Sequence, residues 1–314
     1  MEPVIQTTNL SKSFGPVTAL DGLDLVVPRH SITGFLGPNG AGKSTTIKLL
    51  LGLMHPTAGS GTLFGLDIVT QSTAIRKRVG YLAQQPSFYN NLTARETLEF
   101  VARFFFDDEA AIARAVDDAL DLVDLTSKAD RTIRGFSGGE MQRLGIAQAQ
   151  INQPDLLILD EPAAALDPMG RAQVLAIMQR LRERSTIFYS THILDDVQRV
   201  SDRVVILNQG ELVAQGPIED LLAGQEGIVY RMRLAGHTAA AQQRIGAQPW
   251  VTGLKAADLG EAVEWHIAVT DDDAARHQLL RLALADDAVD VLAFHRAQAE
   301  LEDVFMELVG GSNG

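Results

Sequence analysis

Ile32-Thr-Gly-Phe-Leu-Gly37-Pro38-Asn39-Gly40-Ala41-Gly42-Lys43-Ser44-Thr45 is the stretch on which the fold turns. Its first five residues read as a buried strand, and Thr45 to Leu53 read as a helix. Between them, Gly37 to Ser44 matches G-x-x-x-x-G-K-[ST] in the strand–turn–helix setting that gives the pattern its meaning. The glycines let the backbone curl until successive N–H groups point inward at phosphate oxygens. The helix behind them adds its positive N-terminal end. Lys43 is placed to neutralise β- and γ-phosphates, and the Ser44 hydroxyl to ligate Mg²⁺. A glycine-rich turn that bound nothing would not need the Lys-Ser pair.

Outward from this turn, short apolar runs alternate with helical patterns through about residue 222, the rhythm of an α/β protein with parallel strands. Leu156-Leu-Ile-Leu159 is apolar at every position, as strands covered on both faces are. It ends in Asp160-Glu161, at the carboxyl edge where open α/β sheets bind ligands. Asp160 can hold a metal through water, and Glu161 can polarise an attacking water as general base. Thr186-Ile-Phe-Tyr-Ser190 reads as a third strand after a helix over 170–184. Val204–Leu207 and Glu211–Val213, joined through Asn208-Gln-Gly210, read as a hairpin. Residues 93–126 read as helical, with Leu98, Val101, Ala102 and Phe105 on one face. A linker is expected over 223–227. Beyond it the pattern is strand 228–235, helix 237–246, strands 249–254 and 262–269, helix 272–285, strand 288–295 and helix 299–309. That βαββαβ order predicts a small α+β domain of ferredoxin-like type. The expected domains are therefore 1–222 and 223–314.

Length and composition agree. The chain has 314 residues, 46% hydrophobic and 21% charged, enough for two domains with real cores. It has no cysteine, which excludes disulfides, thiolate metal sites and cysteine nucleophiles. The opening residues lack a basic segment followed by an apolar one, so no signal peptide is expected. No run approaches the roughly 18 apolar residues of a spanning helix. Forty acidic against 27 basic residues leave a net charge of −13, and residues 223–314 carry about half of it. Such a surface repels phosphate backbones and argues against a nucleic-acid partner.

Phe136-Ser137-Gly138-Gly139-Glu140-Met-Gln-Arg143 resembles the signature motif of ATP-binding cassette (ABC) proteins, and it precedes the acidic strand at the family's spacing. With two glycines and Ser137 opening a helix over 140–151, it is a second anion site, usable on the γ-phosphate of ATP. The resemblance covers about residues 4–222. It implies a P-loop NTPase fold with a helical subdomain over about 86–150. It implies that one subunit's cradle faces another's signature, head to tail. It further implies that Phe14 stacks on adenine, that Gln84 meets Mg²⁺ and couples to a membrane partner, that His192 contacts the γ-phosphate, and that Asp167 bridges the subunits. Singly, each of these has a plainer reading: a core ring, a surface amide, a structural histidine, a helix cap. The chain also departs from the family in Ala163-Ala164-Ala165, where a threonine or serine and a glycine are frequent. The signature begins with Phe136 rather than leucine and has Glu140 where glutamine is common.

The job is narrowed by exclusion. No N-K-x-D reads guanine. The interval between Ser44 and Ser137 is too short for the long coiled coils of repair relatives, and one set of motifs is half of what translation-factor relatives carry. A transporter ATPase serving separate membrane subunits remains. Phe88, Tyr89 and at least one of Phe104–Phe106 are expected to line a groove for the permease, although the triplet could instead fill the helical core. Ala299-Glu-Leu-Glu-Asp-Val-Phe-Met-Glu-Leu308 resembles the closing helix of accessory domains on drug, antibiotic and sodium exporters. It would also serve as a simple amphipathic helix. The expectation is an exporter's ATPase subunit that binds ATP and Mg²⁺. It would pair as a homodimer or heterodimer and sit on the cytoplasmic, inner face of the membrane through its permease. A soluble remodelling ATPase and an importer ATPase are the alternatives.

Overall fold

In the computed structural model the described residues are 3–223, 228–260, 262–285, 288–297 and 301–310. Most of the linker expected over 223–227, and residues 299–300 of the closing helix, lie outside them. Strands and helices are numbered in chain order. The described residues divide into two units, the second spanning Glu219–Glu307.

In the first unit, a sheet of β4 (Ile32–Leu36), β7 (Val79–Leu82), β8 (Leu156–Asp160), β9 (Thr186–Thr191), β10 (Arg203–Asn208) and β11 (Glu211–Pro217) runs in the order β11-β10-β4-β9-β8-β7. Every pairing is parallel except β10 with the edge strand β11. Every residue of β4, β8 and β9 is buried, which is why these runs are mostly apolar and do not alternate. The β10–β11 hairpin turns through Gln209 and Gly210, both at positive φ, the turn whose twist suits paired strands.

A second, antiparallel sheet comprises β1 (Pro3–Phe14), β2 (Val17–Leu23), β3 (Val26–Pro28), β5 (Ala58–Leu63) and β6 (Leu66–Asp67). Sequence patterning did not bring it out, because β1 is bulged and loses its alternation of buried and exposed positions.

The helices of this unit are α1 (Lys43–Leu50), α2 (Ser72–Arg76), α3 (Ala94–Ala102), α4 (Glu109–Leu122), α5 (Gly138–Gln150), α6 (Pro168–Leu181) and α7 (Leu194–Val200), and the division between the units falls within α8 (Ile218–Ala223). The expected boundary at 222 and the division at Ile218 both fall in α8. The run over 93–126 is not one helix. It breaks after Ala102, and Asp108 caps the next segment by accepting the Ala111 N–H. The apolar repeat therefore fails at its last member: Leu98 and Ala102 are buried, whereas Phe105 lies beyond the helix and is 43% exposed.

The second unit contains β12 (Ile228–Gly236), α9 (Ala239–Gly246), β13 (Val251–Asp258), β14 (Val263–Val269), α10 (Asp272–Ala283), β15 (Val289–Ala297) and, through Glu307, α11 (Leu301–Gly310). Its sheet is antiparallel throughout, in the order β13-β14-β12-β15. One face, with Tyr230, Met232, Leu234, Trp265, Ile267 and Val269, packs with Ile245 and Leu279 into its own core. In α11, Leu301 and Val304 are buried.

Candidate active site

Three adjacent parallel strands deliver the chemistry to one edge. β4, β9 and β8 are neighbours, with Leu36 beside Thr191 and Ser190 beside Asp160. The turn after β4, the acidic pair ending β8 and the histidine after β9 therefore meet at the carboxyl end of the sheet, where ligands of such folds bind.

The turn from Gly37 to Gly42 needs its glycines for reasons internal to this chain. A Cβ on Gly37 would stand 2.3 Å from the Leu207 carbonyl oxygen, and Gly42, at φ +106°, has the Ala19 carbonyl 2.6 Å from the same position. The result is a cleft of about 250 Å³ lined by Ala19, the run from Pro38 to Thr45, Gln84 and Glu161. Asn39, Gly40, Ala41 and Thr45 contribute to its wall beside Lys43 and Ser44. Lys43 is buried. Its ammonium donates to the carbonyls of Gly37 (2.6 Å) and Pro38 (3.2 Å) and lies 3.5 Å from Glu161 Oε1.

Glu161 is equally buried, and its other oxygen is 3.0 Å from His192 Nδ1. Its backbone is held at φ +50°, a region that costs a non-glycine residue on the order of 1–3 kcal/mol and persists only where the surroundings fix it. Here Lys43, His192 and a third partner fix it. That third partner is Ser190, fully buried, whose Oγ accepts the Glu161 N–H at 2.9 Å and donates to Asp160 Oδ1 at 2.5 Å. Asp160 Oδ2 accepts from the Ser44 hydroxyl at 3.1 Å. Burial, helped by the charge of Asp160, raises the Tyr81 hydroxyl above its ordinary pKa and keeps it a neutral neighbour.

Ser44 and Gln84 line the cleft and Asp160 accepts from Ser44, so a hydroxyl, a carboxylate and a side-chain amide are available there. These are hard oxygen donors of the kind that suits Mg²⁺, which keeps waters and takes one or two protein carboxylates beside phosphate. The donor set fits that ion.

A second cavity, of about 390 Å³, shares no residue with the first. Lys128, Ser137, Gly138, Gly139, Glu140, Arg143, Ala165 and Asp167 are in its lining. Ser137 caps α5 in a capping box: its Oγ accepts the Glu140 N–H, and Glu140 Oε2 accepts the Ser137 N–H. Asp167 caps α6 by accepting the Gly170 N–H at 2.8 Å. Gly138 and Gly139 have no left-handed φ, and a Cβ added to either would meet nothing within 4 Å.

The residues picked from sequence thus fall into two groups. Pro38–Thr45, Gln84 and Glu161 line the first cavity, with Gly37, Asp160 and His192 bonded to it. Ser137–Glu140 and Asp167 line the second. Phe14 lines neither; its half-exposed ring carries the Lys12 ammonium 5.2 Å from its centroid. Ser190 and Lys128 were not picked. A lone serine closing an apolar strand was the available sign of the first, and nothing in the pattern marked the second.

The ABC transporter family model matches residues 20–164. The chain is 33% identical to the bacitracin transport ATP-binding protein BcrA of Bacillus licheniformis, over 99% of each chain. It is 34% identical to the daunorubicin/doxorubicin resistance ATP-binding protein DrrA of Streptomyces peucetius, over 98% of this chain and 92% of that one. A solved ATP-binding subunit of an ABC transporter superimposes with a TM-score of 0.63 at 32% identity, covering 69% of this chain and 91% of its own. With its phosphate cradle, acidic pair and capped signature helix, the chain belongs to the ABC transporter family, among the ATP-binding, ATP-hydrolysing subunits.

Proposed function

We propose that this protein drives an exporter through a separate membrane permease, two ATPase subunits closing head to tail over two molecules of Mg²⁺·ATP. One observation carries the proposal. The described residues form two separate cavities, and a Cβ on Gly138 or Gly139 in the second would meet none of those residues within 4 Å. Gly37 and Gly42 answer to their own fold. Gly138 and Gly139 are open to an approach from outside, and in this reading a second subunit's triphosphate makes it.

In the closed pair, Lys43 and the backbone of Gly37–Thr45 hold the phosphates, and Phe14 stacks on the adenine. Ser44, Asp160 and Gln84 hold the metal, which when bound draws charge from the phosphate oxygens. Glu161 takes the proton of the attacking water, and His192, bonded to it, steadies the γ-phosphate. Ser190 fixes the Asp160 carboxylate and the Glu161 backbone. Ser137, Gly138, Gly139 and Glu140 present the start of α5 to the opposite nucleotide, and Asp167 lies across the seam. The pairing can be with an identical or a related subunit.

Transport needs a handle for the permease, and the helical subdomain offers one. Tyr89, Phe100 and Phe104 are 66%, 51% and 71% exposed, in edge-to-face contacts of 6.5 and 5.4 Å. Three adjoining rings left in water favour a partner that covers them. Phe104 and Phe105 are surface residues rather than helical core, whereas Phe88 is half-buried. Among the described residues no helix is long and apolar enough to cross a membrane, so attachment to the membrane's inner face would run through this patch. Relatives named for bacitracin transport and daunorubicin resistance favour export.

The test is to purify membranes carrying the tagged chain and assay ATP hydrolysis on what co-purifies. A polytopic membrane protein that raises hydrolysis is the expected result, with its retention lost in Tyr89→Ala/Phe104→Ala while the free chain still hydrolyses ATP. Full activity from solubilised membranes with no such companion would point to a soluble remodelling ATPase.

A further inference from the structure

The second cavity contains an ion pair that the helix cap does not require. Glu140 stands at the third position of α5, where a glutamine would close the same capping box without charge. One of its carboxylate oxygens accepts the Ser137 N–H at 2.7 Å, and the other accepts from Lys128 Nζ. Glu140 is buried, Lys128 is partly exposed, and both line the cavity with Ser137, Gly138 and Gly139. Burial alone would lift the Glu140 carboxyl. The Lys128 ammonium and the Ser137 N–H outweigh burial, with Arg131 assisting, and hold it below the usual carboxylate range.

The carboxylate is therefore charged, and it sits in the helical turn whose N–H groups start at the cavity. A helix start carries roughly half an elementary positive charge. An uncompensated carboxylate there would more than cancel it and would face any arriving triphosphate with repulsion.

We infer, on the reading that this turn receives the γ-phosphate held by a second subunit, that Lys128 is the positioning residue for that encounter. It neutralises Glu140, so that the phosphate meets a positive helix end. Lys128 acts through Glu140 and does not touch the nucleotide.

The experiment uses the full chain in a Glu161→Gln background with Mg²⁺·ATP, and sedimentation equilibrium reads the association constant. Lys128→Met should weaken association about five- to tenfold, the scale of one uncompensated charge at a helix end. The defect should shrink in 0.5 M NaCl, though less than it would for two exposed charges, because Glu140 is buried. Adding Glu140→Gln to Lys128→Met should recover most of the lost affinity. A double variant as weak as Lys128→Met alone would mean that the lysine contacts the nucleotide itself, and would overturn the inference. So would a defect unchanged by salt, the mark of a merely structural role, or no defect at all. Ser137→Arg, which fills the cavity, is the reference. Normal association of Ser137→Arg would sink the head-to-tail reading. Loss of association there with none in Lys128→Met would sink only the role given to Lys128.

Discussion

The two cavities do the same electrostatic task by different means. The cradle is charge-dense and interlocked: Lys43, Glu161, His192, Ser190, Asp160 and Ser44 form one hydrogen-bonded chain. The start of α5 offers backbone N–H groups, a serine hydroxyl and one neutralised ion pair. One site is interlocked within the chain, while the other, on the proposed reading, waits for a second subunit's phosphate. A group that must perform chemistry has to be held rigidly before substrate arrives. A surface that must open and close in each cycle is better built from weak, numerous donors.

The sharpest way to break this contrast is to remove the base from the interlocked site. Glu161→Gln keeps the shape of the side chain and its contact with His192, but not the acceptor for a water proton. Turnover should fall by ~10²–10⁴ with ATP still bound, and ATP-dependent association should outlast the loss of hydrolysis. Single-turnover phosphate release on the purified chain checks this. Near wild-type turnover would move the base elsewhere.

Glycine substitutions ask whether the two sites answer to different masters. Gly37→Ala drives a methyl into the Leu207 carbonyl, so the folded state itself should lose about 3 kcal/mol. Gly138→Ala meets none of the described residues within 4 Å, and stability should stay within about 0.5 kcal/mol. Its association in Mg²⁺·ATP should nonetheless weaken about tenfold, a clash of about 1.4 kcal/mol with the incoming phosphate. Denaturant unfolding and sedimentation on the same samples separate the outcomes. Equal stability losses in both variants would erase the distinction.

Ser190→Ala probes the interlock at smaller scale. It strands the Glu161 N–H and one oxygen of Asp160 in a fully buried place, which should cost about 1–3 kcal/mol of stability. Turnover should fall as well, since the Asp160 carboxylate and the strained Glu161 backbone both lose a fixing partner. Loss of stability without loss of turnover would make Ser190 a structural residue only.

Ser190 also marks the limit of what could be read ahead of the structure. The cradle, the acidic pair and the signature were legible because each is a run of neighbouring residues whose spacing encodes its own local geometry. Ser190 matters only through the register of β8 and β9, which sets it opposite Asp160. Lys128 matters only because a short turn after α4 brings it to the start of α5. The antiparallel sheet was illegible for a related reason: its bulged strands carry no regular alternation. In the second unit the alternation along β12 and β14 is clean, with Trp265, Ile267 and Val269 buried and their neighbours not, so its strands could be read without any motif.

The smallest effect concerns the segment that leads out of the interlocked site and into the second one. Ala163-Ala164-Ala165 runs from the acidic pair to Asp167, and Ala165, in the lining of the second cavity, is held at φ +57°. An L-residue pays about 1–2 kcal/mol to sit there, while glycine sits there freely but gives up about 0.5–1 kcal/mol of unfolded-state entropy. The difference predicts that Ala165→Gly stabilises the protein by about 0.5–1 kcal/mol, a rise of about 2–4 °C in Tm at most. If the strain only tolerates a missing glycine, the variant should be more stable and turn over as before. If the strain aims Asp167 at the seam, the same gain in stability should come with weaker ATP-dependent association. The second outcome would extend the rigidity of the cradle across the segment, and the contrast between the two sites would then be graded rather than sharp.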